Sequence, residues 1–116
     1  MASLTLYGLK NCDTCKKAMT ALADASHEVT FIDIRAEADL PAKLPGWLKA
    51  AGADALVNKR STTWRGLSEA EKESAGGDGA EVLLAANPTL IKRPVIEAGD
   101  ALHVGWSKGE QAALCP

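Results

Sequence analysis

The stretch from Leu4 to Lys17, L-T-L-Y-G-L-K-N-C-D-T-C-K-K, constrains the fold more than any other part of the chain. Leu4 to Tyr7 alternates and favours a short buried strand, Gly8 breaks it, and from Asp13 onward the residues favour helix. A strand–loop–helix junction therefore carries a C-x-x-C pair at its turn. The first N–H groups of a helix have no partner within it and form the positive end of its dipole. A sulfur at Cys12 is thus favoured as thiolate over thiol. Lys16 and Lys17 add positive charge within the first two turns. Cys12 is the expected nucleophile. Cys15, about one turn further on, is placed either to attack a mixed disulfide on Cys12 or simply to pack.

Two other uses of the pair are weaker. Zinc needs four ligands, and beyond the pair only Cys115, His27 and His103 remain, widely separated, so no metal is expected. A pair of inert, buried cysteines is opposed by Gly8, Asn11 and Asp13, which mark a polar, exposed loop. Cys115, one residue from the C-terminus, is expected to be a bystander, and His27 a solvated turn residue. Three cysteines, an odd number, fit redox chemistry or free thiols in a reducing compartment better than a disulfide framework. The 116 residues, 47% of them hydrophobic, suit one domain with an ordinary core. A net charge of −2 gives no global pull toward nucleic acid or an anionic membrane, so any anion site must be local. No apolar run approaches membrane-spanning length and M-A-S-L-T-L lacks the features of a signal peptide, so a cytoplasmic location is expected.

The remaining elements follow in order. Ala18, Met19, Leu22 and Ala25 recur at helical spacing through Lys16 to Ala25, and Val29 to Ile34 alternates as a second strand, reached by a parallel crossover. Asp39-Leu40-Pro41 resembles a helix start, although Pro45 and Gly46 leave the first turn of Leu44 to Ala51 uncertain. Val57 to Gly66 is a basic, polar loop or short helical turn. Ser68 to Glu71 is a capped helix start, Ser74 to Gly79 a flexible break, and Ala80 to Ala86 a short helix stopped by Asn87-Pro88. Leu90 to Ile96, interrupted by Pro94, is expected to enter a buried strand. Its antiparallel partner is Ala101 to Val104, across a turn at Ala98-Gly99-Asp100. Ser107, with Glu110 at the third position, caps a last helix to Leu114. The order β-α-β, helical middle, β-β-α predicts an α/β, thioredoxin-like fold with a mixed sheet and a helical insertion at about 39–87. Trp64 and Trp106 are read as packing residues.

Three segments in this order, Y-G-L-K-N-C-D-T-C-K-K-A, L-V-N-K-R-S-T-T-W-R and N-P-T-L-I-K-R-P-V-I, resemble the ArsC/Spx family, nearest its YffB-type thiol reductase branch. The resemblance runs from Leu4 to about Trp106. It implies a catalytic cysteine at Cys12, a basic anion pocket, no bound cofactor, and glutathione or glutaredoxin as thiol donor. Arg93 before Pro94 matches the family's active-site arginine, and Arg60 a second arginine in the middle loop. Cys15 matches the second cysteine of the Spx redox pair, where arsenate reductases have none. The third arginine of those reductases is missing, since the corresponding stretch reads Val104-Gly105-Trp106-Ser107.

The expected site is therefore Cys12, Cys15 as a resolving thiol, and Arg93, with Asn11, Arg60, Arg93 and Pro94 binding substrate. Forked hydrogen bonds from the two arginines suit a glutathione disulfide or an oxyanion. Lys59, Arg65 and Lys92 are read as solvated surface charges. The Arg93–Pro94 bond is expected to be cis, by the resemblance and because cis bonds are essentially confined to X–Pro. The leading expectation is a monomeric, glutathione-dependent thiol–disulfide oxidoreductase acting on small disulfides or glutathionylated substrates. The alternatives are an Spx-like redox switch that binds RNA polymerase and an arsenate reductase.

Overall fold

β1 (Ser3–Gly8) is an inner strand of a four-stranded sheet, and the rest of the first unit is arranged around it. The computed structural model describes residues 3–77, 79–99 and 101–114. It divides the chain into two units, Met1–Ala38 with Arg93–Pro116, and Asp39–Lys92. In the first unit the strand order is β2-β1-β3-β4, with β2 at Glu28–Asp33, β3 at Val95–Ala98 and β4 at Ala101–Val104. β1 runs parallel to β2, with Leu6 opposite Phe31, and antiparallel to β3, with Leu6 opposite Ile96. A parallel pair needs a crossover, and α1 (Asp13–Asp24) supplies it.

α1 buries Cys15, Ala18 and Leu22, three residues on one helical face. Ala18 and Leu22 meet Leu4, Leu6, Ile96 and Leu114 in a core cluster, with Met19, Val29, Phe31 and Trp106 packed at its margin. Each fully buried leucine or isoleucine there contributes about 1.5–3 kcal/mol. Leu114 closes α7 (Lys108–Leu114), where Glu110 accepts from the Ser107 N–H at 2.9 Å. His27, read as a solvated residue, is half-buried instead. Its Nε2 bonds the Leu114 carbonyl at 2.6 Å and ties the end of α7 to the turn after α1. Tyr7, on the other face of β1, donates its hydroxyl to Glu97 Oε1 at 2.9 Å. This is the thioredoxin-like α/β arrangement, β-α-β followed by β-β-α.

The second unit carries the helical insertion, which runs to Lys92 where about Asn87 was expected. α2 (Leu40–Ala51) is continuous through Pro45 and Gly46, because Leu40, Leu44 and Trp47 form a buried stripe whose packing outweighs two poor helix formers. Gly52, at φ +87°, ends it, and a turn of helix not foreseen, α3 (Ala53–Leu56), follows. α4 (Thr62–Arg65) is capped by Ser61, which accepts from the Trp64 N–H at 3.1 Å. The ammonium groups of Lys59 and Lys72 lie 5.8 and 5.9 Å from the Trp64 ring centroid, within cation–π range, so Lys59 is engaged with an aromatic face. α5 (Glu69–Ser74) opens on the expected capping box of Ser68 and Glu71. α6 spans Ala80–Ala86 as expected.

One expected strand changes. Pro88–Leu90 is a 3-10 turn, Ile91 makes an isolated bridge with Val57, and the strand begins at Val95. Pro94 has no N–H to give to a ladder, so pairing starts only after it. Of the expected hairpin turn, Gly99 stands at φ +60°, in the left-handed region that glycine tolerates. Asp100 and Cys115 lie outside the described residues. No helix among the described residues is long and apolar enough to cross a membrane.

Candidate functional site

The loop after β1 turns so that Cys12 becomes the N-cap of α1, with φ −93° and ψ 115°. Its N–H donates to the Leu9 carbonyl at 3.2 Å, and its carbonyl accepts from the Lys16 N–H at 3.0 Å. The sulfur is left to face the open helix end. Cys12 Sγ accepts the Cys15 N–H at 3.4 Å. Where serine or aspartate would cap a helix with oxygen, the Cys12 sulfur does so here.

The two thiols are driven in opposite directions. Partial burial pulls the Cys12 thiol upward, but hydrogen bonds from the Cys15 thiol and N–H, together with the hydrogen bond and charge of Arg93, outweigh it and leave its pKa below the ordinary value. Burial pushes the Cys15 thiol up to about 12, reinforced by its own hydrogen bond to Cys12. Cys15 is 1% exposed, whereas Cys12 is half-exposed. The thiol favoured toward its anion is the more exposed one, and the thiol favoured toward its protonated form is buried.

Gly8 makes that arrangement possible. A Cβ at Gly8 would lie 2.6 Å from Cys15 Sγ and 3.2 Å from its Cβ, so any side chain there would displace the thiol. In the sequence Gly8 reads only as a strand breaker. Its second role depends on where the Cys15 side chain points, and no local pattern carries that.

Arg93 and Pro94 come to Cys12 from the start of β3. Arg93 is half-buried, and its bond to the fully buried Pro94 is cis. The Pro94 carbonyl accepts the N–H of Gly105 at 2.8 Å, and Gly105 takes φ +89°, a conformation open to glycine. Gly105 is buried in this turn, and Trp106 packs at the edge of the core. Cys12, Cys15, Arg93 and Pro94 are thus assembled within one unit, with Asn11 exposed beside Cys12. Arg60 belongs to the second unit, where it is exposed and its N–H donates to Asn58 Oδ1 at 3.0 Å.

A cysteine at a helix N-cap with an arginine in hydrogen-bonding and charge contact is a thiol favoured toward its anion. The model of the ArsC family matches residues 7–114. The chain belongs to the ArsC family. Among its relatives, an uncharacterised protein of Haemophilus influenzae is 47% identical, with 95% of this chain and 96% of that protein covered. A solved structure called YffB protein superposes with a TM-score of 0.82 at 36% identity, covering 97% of this chain and 99% of the other. An arsenate reductase (ArsC) related protein from Brucella melitensis gives 0.76 at 37% identity, covering 96% and 92%. A Lactococcus lactis relative, named a global transcriptional regulator Spx, is 27% identical over 97% of this chain and 86% of its own length. ArsC membership is consistent with thiol oxidoreductase or arsenate reductase-like chemistry.

Proposed function

We propose that this ArsC-family chain is a glutathione-dependent thiol–disulfide reductase of a reducing, cytoplasmic compartment. The observation that carries the reading is the half-exposed Cys12 sulfur, held toward thiolate by the Cys15 N–H and by Arg93. The Cys12 thiolate attacks one sulfur of a disulfide. A Cys12–S bond forms, the substrate S–S bond breaks, and the departing thiolate takes a proton from solvent. With a glutathione half left on Cys12, a second glutathione thiolate attacks that mixed disulfide, releasing oxidised glutathione and regenerating Cys12.

Glutathione rather than Cys15 is the main resolving thiol, because burial, the largest cause of the raised Cys15 pKa, persists when Cys12 carries a mixed disulfide and disfavours the Cys15 thiolate. Arg93, Pro94 and Asn11, all in the first unit, bind the glutathione moiety. A glutaredoxin is the protein alternative to free glutathione as donor.

Arsenate is the poorer substrate. A small oxyanion needs converging donors to offset its desolvation, and Gly105 and Trp106 bring no charge to the stretch where the resembling reductases have a third arginine. One missing charge-assisted contact costs about 1.5–3 kcal/mol, roughly ten- to a hundredfold in binding. Steady-state kinetics with glutathione, comparing a glutathione mixed disulfide with arsenate, tests the reading. The mixed disulfide should be reduced efficiently and arsenate poorly, with Trp106→Arg as companion variant. Efficient reduction of arsenate by the unaltered chain would overturn it.

A second reading has one observation in its favour, the relative named as a transcriptional regulator. In it the same two thiols form a redox switch on RNA polymerase. Capture of polymerase subunits that depends on the oxidation state of Cys12, without disulfide turnover, would select it.

A further inference from the structure

Beside Cys12, on the β2 side of α1, lies a cleft of about 450 Å³, within the size range of small-ligand sites. Leu9, Met19 and Phe31 give it apolar walls, Cys15 contributes to its lining, and Lys10 and Lys16, both exposed, supply its charge. Three of these residues are hydrogen-bonded to Cys12: Leu9 through its carbonyl, Lys16 through its N–H, and Cys15 through an N–H to the sulfur itself. The cleft is therefore lined in part by the residues that hold Cys12 in place, while Cys12 itself is not in its lining. Arg93 and Pro94 approach from the other side, since β3 and β2 flank β1 on opposite edges.

A disulfide has two halves, and one surface cannot hold both. We propose that the cleft seats the half that leaves, and that its occupant is a small thiol with an aromatic or branched apolar body and a carboxylate. This deepens the reading as a glutathione-dependent reductase and rests on it. The apolar walls exclude a strongly hydrated thiol half, and the two lysines call for an anion on the occupant. Asp33 is the carboxylate that feels the charge of Lys10, and its Oδ1 is already engaged by the N–H groups of Arg35 and Ala36 at 2.8 and 2.9 Å.

In the step itself, the Cys12 thiolate attacks the glutathione sulfur of R–S–S–glutathione. The Cys12–S bond forms as the S–S bond breaks, and R–S⁻ departs with the electron pair into the cleft, where it takes a proton from water. Glutathione then reduces the Cys12 mixed disulfide, so R–S–S–glutathione and one glutathione become R–SH and oxidised glutathione.

The test compares two substrates, the mixed disulfides of glutathione with 4-mercaptobenzoate and with mercaptoethanol, in the full chain. Their intrinsic reactivities differ, so the quantity read is the ratio of the two kcat/KM values across variants. Thr20→Trp fills the cleft from an exposed position where folding is not at risk, and Lys10→Ala with Lys16→Ala removes its charge. Each change should lower the mercaptobenzoate-to-mercaptoethanol ratio about tenfold, the loss of one charge-assisted or well-packed contact. A ratio unchanged within twofold overturns the cleft while leaving disulfide reduction intact.

Binding is read separately by NMR titration of the Cys12→Ser chain with 4-(methylthio)benzoate. Shifts at Met19 and Phe31 that vanish in Thr20→Trp support the site. If the unaltered chain turns over neither disulfide, the reductase reading fails and the leaving-thiol role falls with it, whatever the titration shows.

Discussion

Cys12 and Cys15 stand three residues apart on one helix and inhabit different chemical worlds. Cys12 occupies the cap position, where N–H groups lack helical partners and water reaches the sulfur. Cys15 is one turn inside, sealed against Gly8 and the core. Sequence distance counts for little against the change from helix end to helix interior, because the donors that stabilise an anion exist only at the end. The pair is thus divided into one thiol favoured toward its anion and one favoured toward its neutral form, and each half of that division can be broken separately.

Removing the nucleophile has the largest effect. Cys12→Ser should reduce turnover of a glutathione mixed disulfide to background, whereas Cys15→Ala should retain measurable turnover with excess glutathione, both read by steady-state kinetics. Equal loss in the two variants would place Cys15 in the resolving step. Arg93→Gln comes next. It removes a hydrogen bond and a positive charge that favour the thiolate, so the Cys12 pKa should rise, measured from the pH dependence of thiolate absorbance.

Gly8→Ala attacks the buried half. Its methyl group would collide with Cys15 Sγ, and overpacking of this kind costs about 1–3 kcal/mol in urea unfolding. In a Cys15→Ala background most of that cost should disappear, since the atom in the way is gone. A full cost in both backgrounds would show that the obstacle is the Cys15 Cβ or Leu6, 3.2 and 3.3 Å from the added Cβ, and not the sulfur.

The last effect, confined to alkaline solution, is on stability at high pH. Cys15 has a folded pKa raised from near 9 to about 12, so its contribution is fully present below about 9 and is lost as pH rises toward 12. The stability difference between the unaltered chain and Cys15→Ala should therefore shift against the unaltered chain across that window, in urea melts at successive pH values.

The parts of this division that were legible in the sequence are the local ones. Leu4 to Tyr7, the break at Gly8 and the helix-forming run from Asp13 define the junction by periodicity alone, and the N-cap position of Cys12 follows from it. The β3–β4 hairpin and the Ser68–Glu71 box are similarly local. Elements whose form depends on distant packing were not legible. The helix through Pro45 needs the buried stripe of Leu40, Leu44 and Trp47, and Ile91 leaves the expected strand to bridge Val57. Around the thiols, the role of Gly8 requires the position of Cys15 Sγ, and the tie from Gly105 to Pro94 joins residues on different strands. Cys12 was singled out by its place at the junction, and Arg93 and Pro94 by the family resemblance. The packing that holds them was not.

The most direct test of the central claim is alkylation of the unaltered, reduced chain with iodoacetamide at a series of pH values, resolving Cys12 from Cys15 by fragment mass spectrometry. Cys12 should be labelled with a midpoint below the ordinary thiol value near 9, and Cys15 should stay unlabelled until well above it. Faster labelling of Cys15 at mildly acidic pH, or a common midpoint for the two thiols, would contradict the account.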